Sequence, residues 1–135
     1  MAISSKNIEK IVSVYRPIAL RLDEEHKHVS VIMKGGIILS VGYNSKKTHP
    51  MADRYGYFDA SRHSELDALR QIQKRRGPIS DLRLSHLTLL NLRFNNRGEL
   101  RMSKPCSKCL PWCTEIFKTI YYSCNDGTVI KMEKI

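Results

Sequence analysis

Three side chains, His63, Cys106 and Cys109, have the types and the spacing of the protein ligands of a zinc ion. His63 begins one predicted helix, and the two cysteines, three positions apart, begin the next. Zinc binds neutral imidazole and thiolate readily, and the backbone N–H groups at a helix start favour the thiolate form. Three protein ligands leave the fourth tetrahedral position to water, as in catalytic zinc sites. The pattern therefore predicts a catalytic zinc site.

A carboxylate lies two positions after the predicted histidine ligand. Glu65 is on the same first helical turn as His63, so it can reach a zinc-bound water without occupying the metal. Zinc lowers the pKa of such a water to about 7, and a carboxylate beside it can carry protons to and from a substrate. We therefore predict that Glu65 is the catalytic acid and base of a hydrolytic reaction.

The alternative is a structural zinc site whose shell is closed by a fourth side chain. Cys113 follows Cys109 by four residues, so one helical turn places it about 5.4 Å further along the axis, away from the predicted ion. A closed shell would also leave Glu65 without a role. The open site is the favoured interpretation, and we expect Cys113 and Cys124 to be small core residues.

The combination of His63-x-Glu65 with Pro105-Cys106-x-x-Cys109 resembles the zinc signature of the cytidine and deoxycytidylate deaminase superfamily. The resemblance covers roughly residues 29–134. It implies an α/β fold of three layers, α/β/α, around a central five-stranded mixed sheet whose last two strands form an antiparallel hairpin. It also implies hydrolytic attack on C4 of cytosine, or on C6 of adenine, with release of ammonia.

Details of the resemblance point to different subfamilies. Gly42-Tyr43-Asn44 resembles the segment by which deoxycytidylate-type deaminases place an asparagine beside the sugar and base. The predicted hairpin at the end of the chain instead resembles cytidine deaminases, and Ser64 stands where alanine is usual. The subfamily stays open. The candidate substrate-contacting residues, taken together, are Asn44, Ser64, Lys46, Tyr57, Phe58 and Pro105.

Several of these candidates have a plain structural alternative. Asn44 can be a turn residue at a strand end, because asparagine is common there. Tyr55, Tyr57 and Phe58 can stack on a base or can anchor a long loop to the core. Both interpretations stay open, and the histidines other than His63 are expected on the surface or in loops.

The hydrophobic pattern predicts one domain over residues 1–135, with alternating groups of helices and strands. A first helix follows Ser4 and Ser5, which can cap it, and Pro17 is expected to kink or end it near Arg16. The order is helix, strand, strand, helix, strand, helix, strand, strand, which suits a sheet with helices on its faces. After the first helix the predicted elements cover residues 29–33, 37–43, 63–76, 87–94, 106–118, 120–123 and 128–132.

The 135-residue chain is strongly basic, with 23 Lys and Arg against 13 Asp and Glu, a net charge of +10. A charge of this sign favours anionic partners such as nucleotides or polynucleotides, although solubility alone also explains it. The chain shows neither a secretory signal nor an apolar run long enough for a membrane span. A cytoplasmic location without membrane partners is therefore expected.

The leading functional hypothesis is a zinc-dependent deaminase that converts cytosine to uracil in a cytidine-type nucleoside or nucleotide. The first alternative is deamination of cytosine or adenine within single-stranded DNA or RNA, which the net charge of +10 favours. The second is a non-catalytic, zinc-stabilised module that binds nucleic acid. The family resemblance also implies a homo-oligomer.

Overall fold

The computed structural model describes residues 4–23, 26–44, 63–76, 87–106 and 109–132. Within these ranges the chain forms three helices and six strands. In chain order they are α1 (Ser5–Leu20), β1 (Lys27–Lys34), β2 (Ile37–Tyr43), α2 (Ser64–Arg76), β3 (Leu87–Phe94), β4 (Leu100–Arg101), α3 (Leu110–Ile116), β5 (Thr119–Ser123) and β6 (Val129–Lys131). None of these described helices has the length and apolar character needed to cross a membrane.

All six strands join one mixed sheet in the order β2-β1-β3-β5-β6. β1 is antiparallel to both β2 and β3. β3 and β5 are parallel to each other, and β6 is antiparallel to β5. β1 pairs with β3 along its whole length, so β4 pairs with the far end of β3 on the side that β5 occupies further along. The parallel pair requires a crossover connection, and α3 lies within it.

Strand alternation divides the apolar side chains into two clusters on the two faces of the sheet. We call them the α1 face and the α2 face, after the helix that packs on each. The α1 face combines Ile8, Val12 and Ala19 of the helix with Val29, Val31, Met33, Leu90, Leu92 and Phe94 of the strands. The α2 face combines Leu66, Ala68, Leu69 and Ile72 of α2, Trp112 and Cys113 of α3, and Ile32, Leu87, Leu89 and Ile120 of the strands.

Helix α2 packs unusually close to β2. A Cβ atom at Gly42 would lie 2.2 Å from the backbone nitrogen of Ala68, so the contact requires glycine. On either side of this contact, Ser40 Oγ donates to the Ala68 carbonyl at 2.9 Å, and the Tyr43 amide donates to Asp67 Oδ2 at 3.0 Å. These interactions join β2 to the first two turns of α2.

The N-terminal helix confirms one sequence prediction and corrects another. Ser4 is the N-cap, and its hydroxyl accepts a hydrogen bond from the Asn7 amide at 3.2 Å. Pro17, however, does not end the helix, which continues to Leu20. Proline lacks the N–H that would bond the Ser13 carbonyl, and Ser13 is exposed, so water can satisfy that carbonyl instead.

The region around the cysteines also differs from the prediction of a helix over residues 106–118. α3 begins only at Leu110, with Cys109 as its N-cap residue. Cys106 precedes the helix and is joined to it by a hydrogen bond from the Leu110 amide to the Cys106 carbonyl, 2.8 Å long. Strand β4 was not predicted, since two residues carry no detectable alternation.

Candidate metal centre

The structure brings His63, Cys106 and Cys109 together, although 43 residues separate the histidine from the nearer cysteine. His63 Nδ1 lies 3.8 Å from Cys106 Sγ and 3.6 Å from Cys109 Sγ. The three potential ligand atoms all lie within 4.8 Å of one another. The sequence prediction that these side chains meet is confirmed.

The spacing and chemistry of these donors fit a zinc ion. With Zn–S near 2.3 Å and Zn–N near 2.0 Å, tetrahedral geometry puts a ligand nitrogen about 3.5 Å from a ligand sulfur. The two N···S distances, 3.6 Å and 3.8 Å, are close to that value. Because the same histidine nitrogen faces both sulfurs, Nδ1 would be the coordinating atom of a bound ion, and Nε2 would carry the hydrogen of the neutral imidazole.

Each ligand lies at or just before the N-terminal end of a helix. The carbonyl of His63 accepts from the Asp67 amide at 3.0 Å, which places the histidine just before α2. Cys109 is the N-cap of α3, and Cys106 bonds to the first residue of that helix. Cys109 is buried, His63 is partly buried and Cys106 is exposed, so the group reaches the protein surface on the Cys106 side.

Neither Cys113 nor Glu65 belongs to this group of donors among the described residues. Burial, with smaller contributions from Glu65 and Cys106, raises the pKa of the Cys113 thiol far above its ordinary range. The donor group therefore consists of three side chains in the described structure, and Cys113 is a core residue, as the sequence predicted.

Glu65 lies in the first turn of α2 and is 6% exposed. Its Oε1 accepts a hydrogen bond from the Ser64 hydroxyl at 3.0 Å. The Ser64 oxygen is in turn 2.7 Å from the hydroxyl oxygen of Ser30, on β1. The carboxylate two residues after His63 is thus connected to the interior of the sheet.

The sequence interpretation missed a histidine beside the centre. His28 was expected on the surface, but it is a partly buried residue of β1, paired with Arg93 of β3. Burial, followed by the charges of Arg93, His26 and His63, lowers its pKa to about 4, so it is neutral at pH 7. Alternation offered the missing signal, since His28 lies two residues before Ser30 on the same face of the strand.

The predicted substrate residues fall into different environments. Both polar atoms of the Asn44 side chain bond to the backbone of β1 and the residue before it. Oδ1 accepts from the His28 amide at 2.9 Å, and Nδ2 donates to the His26 carbonyl at 2.7 Å. Ser64 and Pro105 are both buried. The remaining candidates, Lys46, Tyr57 and Phe58, lie outside the described residues, as does Tyr55.

Comparisons with known proteins add no relative. No protein-family model matches the chain, and a search of curated proteins finds no matching sequence. The side chains of the candidate metal centre are therefore the main indication of function.

Proposed function

We propose that this protein is a zinc-dependent hydrolytic deaminase that converts cytosine to uracil in a cytidine-type nucleoside or nucleotide. One observation carries the proposal: three donors converge, and a buried carboxylate that is not one of them lies two residues after the histidine donor. The donors are His63, Cys106 and Cys109, and the carboxylate is Glu65. A structural zinc site needs a fourth protein ligand and has no use for such a carboxylate.

The proposed reaction forms a bond between C4 of cytosine and the oxygen of water, and breaks the bond from C4 to the amino nitrogen. When bound, zinc supplies a Lewis acid that lowers the pKa of a coordinated water to about 7. Glu65 accepts a proton as the water attacks and returns it to the ring nitrogen. A second proton transfer through Glu65 releases the amino group as ammonia, so water and cytosine are converted to uracil and ammonia.

The fold supports the same assignment. Helices pack on both faces of a mixed sheet, and both ligand-bearing segments lie at N-terminal ends of helices. The antiparallel pairing of β5 with β6 agrees with the hairpin that the family resemblance implies. A three-layer α/β/α fold of the cytidine deaminase type is part of the proposal.

A substrate panel tests the proposed activity. The zinc-loaded protein is assayed for ammonia release from cytidine, deoxycytidine, their monophosphates, adenosine, guanine and a cytosine-containing oligonucleotide. Release from a cytidine-type nucleoside or nucleotide is the expected result. If no member of the panel releases ammonia above the metal-free control, the proposed function is wrong.

Glu65→Gln separates catalysis from metal binding. The substitution keeps the size of the side chain and removes its ability to carry a proton, so turnover should fall by at least about 10³-fold. Zinc content should stay at the wild-type level. Glu115→Gln, the same change at an exposed position of α3, is the matched control and should keep wild-type turnover. Retained activity in Glu65→Gln would contradict the proposed mechanism.

The net charge of +10 favours a second candidate, deamination within single-stranded nucleic acid. On the α2 face, Arg93 pairs with His28, and both Arg93 and His63 affect the pKa of His28. Binding of a labelled oligonucleotide across a salt series distinguishes this candidate. Affinity that falls steeply with salt, together with turnover of cytosine in the oligonucleotide only, would favour it over the nucleoside or nucleotide substrate.

A further inference from the structure

A continuous line of buried polar side chains leads from Glu65 into the sheet. Glu65 Oε1 accepts from Ser64 Oγ, the hydroxyl oxygens of Ser64 and Ser30 are 2.7 Å apart, and Ser30 Oγ donates to Asn91 Oδ1 at 2.7 Å. Asn91 Nδ2 donates to the Ser103 carbonyl at 3.3 Å, and the Ser103 hydroxyl donates back to the Asn91 carbonyl at 2.7 Å. These contacts cross from α2 through β1 and β3 to the segment after β4.

Both ends of this line are close in the chain to residues of the candidate metal centre. Ser64 lies between His63 and Glu65, and Ser103 lies three positions before Cys106. The segment that holds His63 and the segment that holds the two cysteines are far apart in the chain, and this line of hydrogen bonds connects them. The line therefore fixes the first turn of α2 and the cysteine segment with respect to the same strands.

The burial of these groups requires an explanation. Ser30 has no exposed surface, Ser64 is 2% exposed and Asn91 is 3% exposed. Burying polar groups is unfavourable even when each is hydrogen-bonded, and apolar side chains of similar size would stabilise the sheet at least as well. On the opposite face the same two strands present apolar residues except at or next to their ends, where Lys27 and Thr88 are buried. The polar residues are concentrated beside Glu65, where the placement of a carboxylate affects the chemistry.

We propose that Ser64, Ser30 and Asn91 are positioning residues that hold the Glu65 carboxylate at the metal centre. Ser64 is the direct partner of the carboxylate, Ser30 holds the Ser64 hydroxyl, and Asn91 anchors Ser30 to the segment that leads to Cys106. Three oxygen–oxygen contacts, Glu65–Ser64, Ser64–Ser30 and Ser30–Asn91, share only two hydroxyl hydrogens. When Ser30 donates to Asn91, the Ser64 hydroxyl can donate either to Glu65 or to Ser30, and rotation of the hydroxyl alone changes between the two. This inference rests on the proposed function.

The kinetic test uses Ser64→Ala and Ser30→Ala in the zinc-loaded protein. Each removes one hydroxyl and keeps the fold, because alanine fits the space of serine. We expect kcat to fall about tenfold, with KM changed by less than about twofold, since partners of a catalytic group act on turnover more than on binding. Ser40→Ala is the matched control: Ser40 is a buried serine that also bonds α2, at the Ala68 carbonyl, but lies outside the line. It should keep the wild-type kcat.

A second readout does not depend on turnover. The visible absorption spectrum of the cobalt-loaded protein reports the environment of the metal, so a displaced Glu65 carboxylate should change it. Ser64→Ala should change the spectrum in the wild-type background and leave it unchanged in the Glu65→Gln background, because the effect passes through the carboxylate. Ser40→Ala should change it in neither.

The outcomes are distinguishable. Wild-type kcat in both Ser64→Ala and Ser30→Ala would overturn the inference, as would an equal spectral change with and without Glu65. If the wild-type protein releases ammonia from no substrate while the spectral coupling between Ser64 and Glu65 is present, the deaminase proposal fails and the positioning inference stands.

Discussion

The two faces of the sheet are built by the same strands but bury different kinds of side chain. On the α1 face, β1 and β3 present Val29, Val31, Leu90, Leu92 and Phe94, all without exposed surface. On the α2 face the paired residues change character along the strands. Ile32 pairs with Leu89, then Ser30 with Asn91, and finally His28 with Arg93.

Within one sheet, the α1 face therefore serves mainly stability, and the α2 face also holds the residues around the candidate metal centre. On the α1 face the central positions of both strands are apolar, and the buried polar residues Lys27 and Thr88 lie only at or next to the strand ends. Burial of these apolar side chains stabilises the fold. On the α2 face the β1–β3 pairs change from apolar to polar toward His28 and Arg93, although Cys109 itself lies in the apolar cluster. A single β-strand can serve both purposes because its successive side chains point to opposite faces.

The largest expected effect is on metal binding by the α2 face. Cys109→Ala removes one of three ligands, and zinc affinity should fall by at least about 10³-fold. Cys113→Ala, at a cysteine one turn further along α3, should keep zinc affinity within about threefold. Competition with a chromophoric chelator measures both. Equal loss in the two variants would show that Cys113 completes a closed site.

The α1 face should affect stability without affecting the metal. Phe94 is fully buried there, so Phe94→Ala should lower the free energy of unfolding by about 3–5 kcal/mol. Zinc affinity of the folded variant should equal that of the wild type. Urea unfolding and chelator competition test the two statements, and Phe94→Leu offers a milder change if the alanine variant does not fold. A large loss of zinc affinity would contradict the separation of the two faces.

The close approach of α2 to β2 should couple stability to the site. In Gly42→Ala the new Cβ meets backbone atoms of Ala68 and Ser64, which cannot rotate away, so α2 must shift. We expect a loss of about 2–3 kcal/mol in stability, as for other overpacked sites, together with weaker zinc binding. Gly36→Ala is the control, because nothing lies within 4 Å of the Cβ it would add. Unchanged zinc affinity in Gly42→Ala would show that the position of α2 is not critical for the site.

The smallest expected effect is a pH dependence that originates at His28. Its pKa is about 4 in the folded protein against an ordinary 6.5, so the unfolded chain binds more protons between these values. Stability should therefore decrease as the pH falls from 6.5 toward 4. At pH 5, protonation of His28 in the unfolded chain lowers the free energy of unfolding by about 2 kcal/mol. The metal-free wild type should lose this amount relative to His28→Gln between pH 7.5 and pH 5 in urea unfolding. Parallel losses in the two proteins would show that His28 is not held neutral by its surroundings.

Much of the fold could be predicted because its signals are local. The Ser4 cap and the apolar strand β3 both depend on residues that are neighbours in the chain. The start of α3 was predicted wrongly, and of the two outcomes predicted at Pro17, a kink or an end, the end does not occur. Both corrections concern element ends. There, a single hydrogen bond or the exposure of one carbonyl decides the result, and no periodic pattern reports it.

The sequence by itself determined the types and spacing of the metal-centre residues, because ligand chemistry is a property of His63, Cys106, Cys109 and Glu65 themselves. Only the tertiary structure decided what surrounds them. The contact of Ser30 with Ser64 joins residues 34 positions apart, and that of Ser30 with Asn91 joins residues 61 apart. Such contacts depend on strand register and on the seating of α2 on Gly42, which arise from packing across the whole sheet.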